Sequence, residues 1–209
     1  LEVNCLDISK RFGYQWIIKN CNFQFKSGHI TGISGMNGSG KSTLLRILSG
    51  YLSPTSGIVE YREDGKRVNR NDIFRYLSFV GPYTGLIGEF TMKEQFEFHF
   101  KFKRKRENIT FEEFKDWLAI EVNSNKRITD YSSGMNQRLQ LGLAMKSNTS
   151  LLILDEPTSF LDKSAKKWFY TNLKQDSADR TVIIASNDEE DFQLCSKEVK
   201  NINALKAIS

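Results

Sequence analysis

The stretch Gly35-Met36-Asn37-Gly38-Ser39-Gly40-Lys41-Ser42-Thr43 constrains this chain more than any other, because it fits the spacing G-x-x-x-x-G-K-[ST] of a phosphate-binding loop. Its glycines let the backbone curl so that successive N–H groups point at phosphate oxygens, and the helix that must follow aims the positive end of its dipole at the same anion. Lys41 supplies a mobile positive charge, and the Ser42 hydroxyl is a ligand for Mg²⁺ bridging the phosphates. Asn37, Gly38, Ser39, Gly40, Lys41, Ser42 and Thr43 are therefore the candidate nucleotide cradle. The flanks agree: His29-Ile30-Thr31-Gly32-Ile33-Ser34 reads as a strand, and Leu44, Leu45, Ile47 and Leu48 recur at helical spacing until Gly50.

At 209 residues the chain is long enough for one α/β domain with a small subdomain attached. Lys and Arg outnumber Asp and Glu by 30 to 25, a formal charge of +5 that suits a polyanionic ligand or an anionic membrane face and equally an ordinary surface. Cys5, Cys21 and Cys195 form no C-x-x-C pair, which argues against a disulfide framework or zinc site and for a reducing cytoplasm. No apolar run is long enough to cross a bilayer, and the first residues carry no cationic region followed by an apolar stretch. Service to a membrane is thus expected to run through another chain.

Upstream of the loop, Leu1-Glu2-Val3-Asn4-Cys5-Leu6 and Cys21-Asn22-Phe23-Gln24-Phe25 alternate like short antiparallel strands. Between them lie Phe12, Tyr14 and Trp16. Phe12 is the candidate to stack on adenine, with cover for a sheet edge as the other use of the same ring. Downstream, Pro54 and Gly57 mark a turn, Ile58-Val59-Glu60-Tyr61 and Leu77-Ser78-Phe79-Val80 read as strands, and Gly81-Pro82-Tyr83-Thr84-Gly85 as a loop. Helices are expected over 92–102 and 111–120, although Phe96, Phe98, Phe100 and Phe102 alternate with the period of a strand. The basic run Lys101-Phe102-Lys103-Arg104-Lys105-Arg106 either touches nucleic acid or lipid head groups or is a solvated helix end, and the second is the expectation.

A second chemical site is Leu151-Leu152-Ile153-Leu154-Asp155-Glu156. An apolar run without alternation predicts a strand buried on both faces, so its carboxylates emerge where open parallel sheets bind ligands. Asp155 can hold Mg²⁺ through water, and Glu156 is placed to take a proton from the water attacking a γ-phosphate.

Between these sites stands Tyr131-Ser132-Ser133-Gly134-Met135-Asn136-Gln137-Arg138, with a helix expected to begin near Asn136 and to carry Leu139, Leu143 and Ala144 on one face. Phosphate loop, serine-glycine element, acidic strand end and Ser159-Phe160-Leu161-Asp162, in that order, resemble the nucleotide-binding subunits of bacterial ABC transporters from Phe12 to Asn187. The resemblance implies an α/β fold of the P-loop NTPase, ABC type: a mixed sheet core with an antiparallel β subdomain and a small helical subdomain. Residues 1–82 and 140–209 would form the core with its β subdomain, and 83–139 the helical subdomain ending in the signature element.

It also implies a mechanism in trans. ATP is held by the phosphate loop of one subunit and by Ser132, Ser133 and Gly134 of another, either a second copy or a homologous ATPase subunit, with Ser159 and Asp162 on the loop that crosses the interface. Integral-membrane permeases are the implied further partners, docking along the segment from Tyr83 through Phe90 to Phe102, whose phenylalanines equally suit internal packing. No nucleic acid is expected, and the place is the cytoplasmic face of the cell membrane.

The chain departs from the family pattern where chemistry is most exposed. Tyr131-Ser132-Ser133-Gly134-Met135 stands for Leu-Ser-Gly-Gly-Gln, Tyr83 lies nearest the place of the usual glutamine, and Asn187 replaces the usual histidine after Thr181-Val182-Ile183-Ile184-Ala185-Ser186. Asparagine donates a hydrogen bond but neither carries charge nor shuttles a proton as imidazole does. Three function classes follow: an ATPase driving a permease, with Glu156, Lys41 and Asn187 at the reacting phosphate; a soluble ABC-type ATPase; and an ATP-dependent switch with little turnover. The short distance from Tyr83 to Ser132 leaves no room for a long coiled coil and favours the first over the second.

Overall fold

The computed structural model describes residues 1–82, 84–123, 125–195 and 199–202. Near the N-terminus, β1 (Glu2–Phe12) and β2 (Gln15–Phe25) form an antiparallel hairpin turning at Gly13, where φ is +57°. β4 (Ser56–Glu63) pairs antiparallel with β1, and β5 (Lys66–Val68) with β4, in the order β2-β1-β4-β5. The hairpin strands are longer than the sequence pattern predicts. Their ladder slips in register between Cys5 and Ile8 and again between Ile8 and Lys10, so alternation breaks while pairing continues.

The second sheet comprises β3 (Ile30–Ser34), β6 (Leu77–Val80), β7 (Leu151–Asp155), β8 (Thr181–Ala185) and β9 (Val199–Asn201), ordered β6-β7-β8-β3-β9 with neighbours parallel. Every residue of β7 and β8 is buried, as expected of parallel strands covered on both faces. α1 (Lys41–Leu48) lies in the core shared by the two sheets, where Leu44 and Leu48 join Ile8, Phe25, Ile153 and Ile183. On the other face, α4 (Ser133–Met145) and α5 (Lys163–Asp176) cover the sheet with Leu141, Met145, Phe169 and Leu173.

α2 (Met92–Phe102) and α3 (Phe111–Leu118) build a third core against α4. Each opens with a capping box, Thr91 with Glu94 and Thr110 with Glu113. The alternating phenylalanines resolve into two faces of α2, because at about 100° per residue i and i+4 share a face and i+2 lies opposite. Phe96 is buried with its ring 4.9 Å from Phe100 and 5.0 Å from Phe114, whereas Phe98 and Phe102 stack at 5.1 Å outside, 38% and 75% exposed.

The basic run is not the solvated helix end that was expected. α2 stops at Phe102, after which Lys103 donates to the carbonyl of Leu77 at 2.8 Å, Lys105 to that of Ile109 at 2.8 Å, and Arg106 pairs with Asp176 at 3.2 Å. Only Lys101 and Arg104 among its basic residues remain exposed. The reason lies in tertiary contacts that a charge count does not register. Among the described residues no helix is long and apolar enough to cross a membrane.

Candidate nucleotide-binding site

The candidate site lies where β3, β7 and β8 end. The chain leaves β3 through the loop, and Gly40 caps α1 at φ +104°, where an added Cβ would stand 2.8 Å from Ile17 Cγ2. Only glycine lets the loop pass this close to the hairpin. α1 has no side-chain cap and no acidic residue in its first turn, so its first N–H groups and dipole are available to an anion.

Lys41 is 7% exposed. Its Nζ donates to the Gly35 carbonyl at 2.8 Å, the Met36 carbonyl at 3.5 Å and Asn187 Oδ1 at 2.8 Å, and lies 3.8 Å from Glu156 Oε1. Glu156 follows β7 with φ +51°, a left-handed conformation that is strained for a residue with a Cβ. Its backbone N–H donates to the Ala185 carbonyl at 2.8 Å. Its carboxylate accepts from Asn187 Nδ2 at 2.8 Å, from the Asn187 N–H at 3.3 Å and from Ser186 Oγ at 3.3 Å. Burial pushes the Glu156 carboxyl above its ordinary pKa, against the hydrogen bond from Asn187 and the charge of Lys41. Asn187 Nδ2 also donates to Asn37 Oδ1 at 2.6 Å, so one amide joins loop, lysine and glutamate.

Asp155 is 2% exposed and its Oδ1 has no hydrogen-bond partner among the described residues. Burial raises its pKa, while a hydrogen bond with Ser42 and the charges of Lys41 and Arg46 lower it. An orphaned carboxylate oxygen beside a hydroxyl is a hard-oxygen pair that fits Mg²⁺. Among the described residues no group of three or more His, Cys, Asp or Glu could hold a metal ion, so an ion between Ser42 and Asp155 would draw further ligands from phosphate and water. Ser39 is buried within the loop, Thr43 is half-buried on α1, and Gly38 has open space around its α-carbon.

The serine-glycine element stands elsewhere. α4 begins at Ser133 and not near Asn136, because the Ser132 hydroxyl accepts from the Met135 N–H at 3.2 Å and caps the helix earlier than the apolar pattern suggests. A Cβ on Gly134 would stand 2.7 Å from the Phe160 carbonyl oxygen, so this helix start rests on the turn carrying Ser159. Ser132, Ser133, Gly134, Phe160 and Asp162 border a cavity of about 380 Å³ that has no residue of the phosphate loop in its lining. Asp162 caps α5 by accepting from the Ala165 N–H at 2.8 Å, and Ser159 is exposed.

Phe12 is 52% exposed at the hairpin end, paired across β1 and β2 with Gln15 and with Lys10 Nζ 5.1 Å from its ring. Tyr83 lies outside the described residues. Sequence reasoning missed Thr158, Ser186 and Asp191, a buried polar group behind Glu156 that carries no local motif; only the fold brings it together.

Residues 18–159 match a protein-family model described as ABC transporter. The chain is 28% identical over 212 residues to the spermidine/putrescine import ATP-binding protein PotA of Fusobacterium nucleatum, covering 99% of this chain and 56% of that protein. It is 31% identical over 160 residues to the bacitracin transport ATP-binding protein BcrA of Bacillus licheniformis, covering 77% and 52% respectively. The chain thus spans little more than half the length of these relatives. In structure it resembles the ATP-binding cassette MJ0796, described as a dimer in a post-hydrolysis state bound to ADP and Pi, with TM-score 0.79, 23% identity and coverage of 95% and 93%. At that identity the likeness speaks to the fold.

Proposed function

The chain belongs to the ABC transporter family, and from that premise we propose that it is an ATP-binding and hydrolysing subunit that powers transport through separate permease subunits. In this reading residues 37–43 cradle the triphosphate, Lys41 turns its ammonium to the phosphate oxygens, and Glu156 accepts a proton from the attacking water. Asn187 donates to the γ-phosphate in place of imidazole. Ser42 and Asp155 would hold Mg²⁺, which when bound neutralises charge on the phosphate oxygens. Ser132, Ser133 and Gly134 of one subunit serve the far side of the γ-phosphate on a head-to-tail partner, and Ser159 and Asp162 cross between the two. Residues 83–139 form the arm that carries this signature, and 1–82 with 140–209 the core.

The observation that carries the reading is the convergence of Lys41, Asn187 and Glu156 at one loop, beside the Asp155 oxygen that has no hydrogen-bond partner among the described residues. A permease seat is supported by exposed Phe74, Phe98, Phe102 and Tyr51, of which Phe74 and Tyr51 border a cavity of about 810 Å³. Docking there would hold the subunit at the inner face of the cell membrane. The test is phosphate release from Mg-ATP by the purified protein, alone and with its permease, using Lys41→Ala as control. Release that disappears with Lys41 supports the reading. Silence in both settings leaves the ATP-dependent switch, which Asn187 favours because an amide cannot shuttle a proton.

A further inference from the structure

We propose that Asp191 is a positioning residue for hydrolysis: buried behind the Glu156 turn, its carboxylate fixes Thr158 and Ser186 and, through them, the direction of the Glu156 side chain. This rests on the reading of Glu156 as the group that accepts a proton from water. A left-handed glutamate next to a strand end persists only where its surroundings over-determine it. β8 holds one side of the turn through the Ala185 carbonyl, and α4 holds another, where Gln137 Nε2 donates to the Pro157 carbonyl at 2.9 Å.

Asp191 supplies the third side. It is fully buried, its Oδ1 accepts from the Tyr170 hydroxyl of α5 at 2.8 Å, its Oδ2 accepts from Thr158 Oγ1 at 3.1 Å, and the Ser186 hydroxyl faces it as well. The neighbouring charges are occupied elsewhere: Asp188 on the same turn pairs outward with Lys166 at 2.5 Å, and Cys195 Sγ lies 4.0 Å from the Asp191 carbonyl. Among the described residues Asp191 is held by hydroxyls with no cation against it, and a carboxylate so placed is costly to bury. What it provides that an amide does not is acceptance at every lone pair, so it dictates where the hydroxyl protons around it point. Ser186 is the point of transmission. Its hydroxyl has one proton, accepts from the Asp188 N–H at 3.0 Å, and lies between Asp191 and Glu156 Oε2.

The test compares wild type, Asp191→Asn, Thr158→Val, Ser186→Ala and the Asp191→Asn/Ser186→Ala pair in the full chain, by steady-state phosphate release, ATP binding and amide exchange. Asp191→Asn is expected to lower kcat about tenfold, to leave KM and ATP affinity within about twofold, and to speed amide exchange over 156–162 about tenfold. In the pair, Asp191→Asn adds less than about twofold to the Ser186→Ala loss, because both act through one hydroxyl. Should Asp191→Asn not fold, Thr158→Val, which removes a donor and keeps the carboxylate, is expected to give the same separation of kcat from KM. Wild-type kcat and exchange in Asp191→Asn, or in Thr158→Val where it stands in, or fully additive losses in the pair, overturn the positioning role while Lys41-dependent release from wild type keeps the hydrolysis reading. Absence of Lys41-dependent release from wild type overturns both.

Discussion

The side-chain oxygen of Asn187 lies 2.8 Å from the Lys41 ammonium, across 146 residues of sequence. The same amide donates to Glu156, so the lysine of the loop and the carboxylate of the strand end are registered through one side chain as well as by their direct approach at 3.8 Å. Truncation to Asn187→Ala removes the registration and leaves the charges. The expected outcome is a kcat lower by about tenfold with KM within about a factor of two, since what is lost is orientation at the reacting phosphate. Steady-state kinetics check it, and a raised KM with unchanged kcat would place Asn187 in binding only.

Glu156→Gln keeps the size of the side chain and its capacity to accept from Asn187 while abolishing proton uptake. Turnover is expected to fall by at least about a hundredfold, the low end of what a general base contributes. If hydrolysis releases a head-to-tail pair, the variant accumulates as a dimer with Mg-ATP and is a monomer without it. Sizing under both conditions decides, and a monomer in each would argue against the two-subunit site.

Asp155 carries a buried oxygen without a hydrogen-bond partner among the described residues, and a bound divalent cation is the natural use for it. Chelation of Mg²⁺ is expected to stop phosphate release and added Mg²⁺ to restore it. Asp155→Asn should raise the Mg²⁺ concentration for half-maximal rate by about tenfold or more, as loss of a metal-site partner does. A magnesium titration of the rate at saturating ATP gives the answer; identical curves would remove Asp155 from the metal's surroundings.

Much of this arrangement was legible in the sequence where chemistry is local. The loop at Lys41 and the strand end at Asp155 announce themselves because glycine spacing and an unbroken apolar run are properties of a few consecutive residues. The antiparallel ends at residues 1–6 and 21–25 were legible and the middle of the hairpin was hidden by register slips, while the basic run was misread because Leu77, Ile109 and Asp176, which absorb its charges, come from other elements. The aromatic run was ambiguous by period alone. Its helical state was nevertheless written at the start of α2, in the capping box of Thr91 with Glu94. Nothing local marks Asp191.

The two faces of α2 make separable predictions. Phe96 lies in the third core at 3% exposure, so Phe96→Ala is expected to cost about 3–5 kcal/mol in chemical denaturation. Phe98→Glu alters an outer ring, and should leave stability and ATP binding near wild type while uncoupling transport in vesicles that contain the permease. Transport at the wild-type rate would take Phe98 out of the docking surface.

Asp162 offers a pH prediction. Hydrogen bonds from Ala165 and Ser164 hold its carboxyl below the ordinary aspartate pKa, and the start of α5 favours a negative charge. A depressed folded-state pKa stabilises above the unfolded value, near 4, and the contribution fades as pH falls through the folded value. Asp162→Asn keeps an acceptor at the cap and removes the titration. The gap between wild-type and variant melting temperatures should therefore be widest at neutral pH and should close on acidification to about pH 2. A gap that stays constant over that range would mean that Asp162 caps α5 without drawing on its charge.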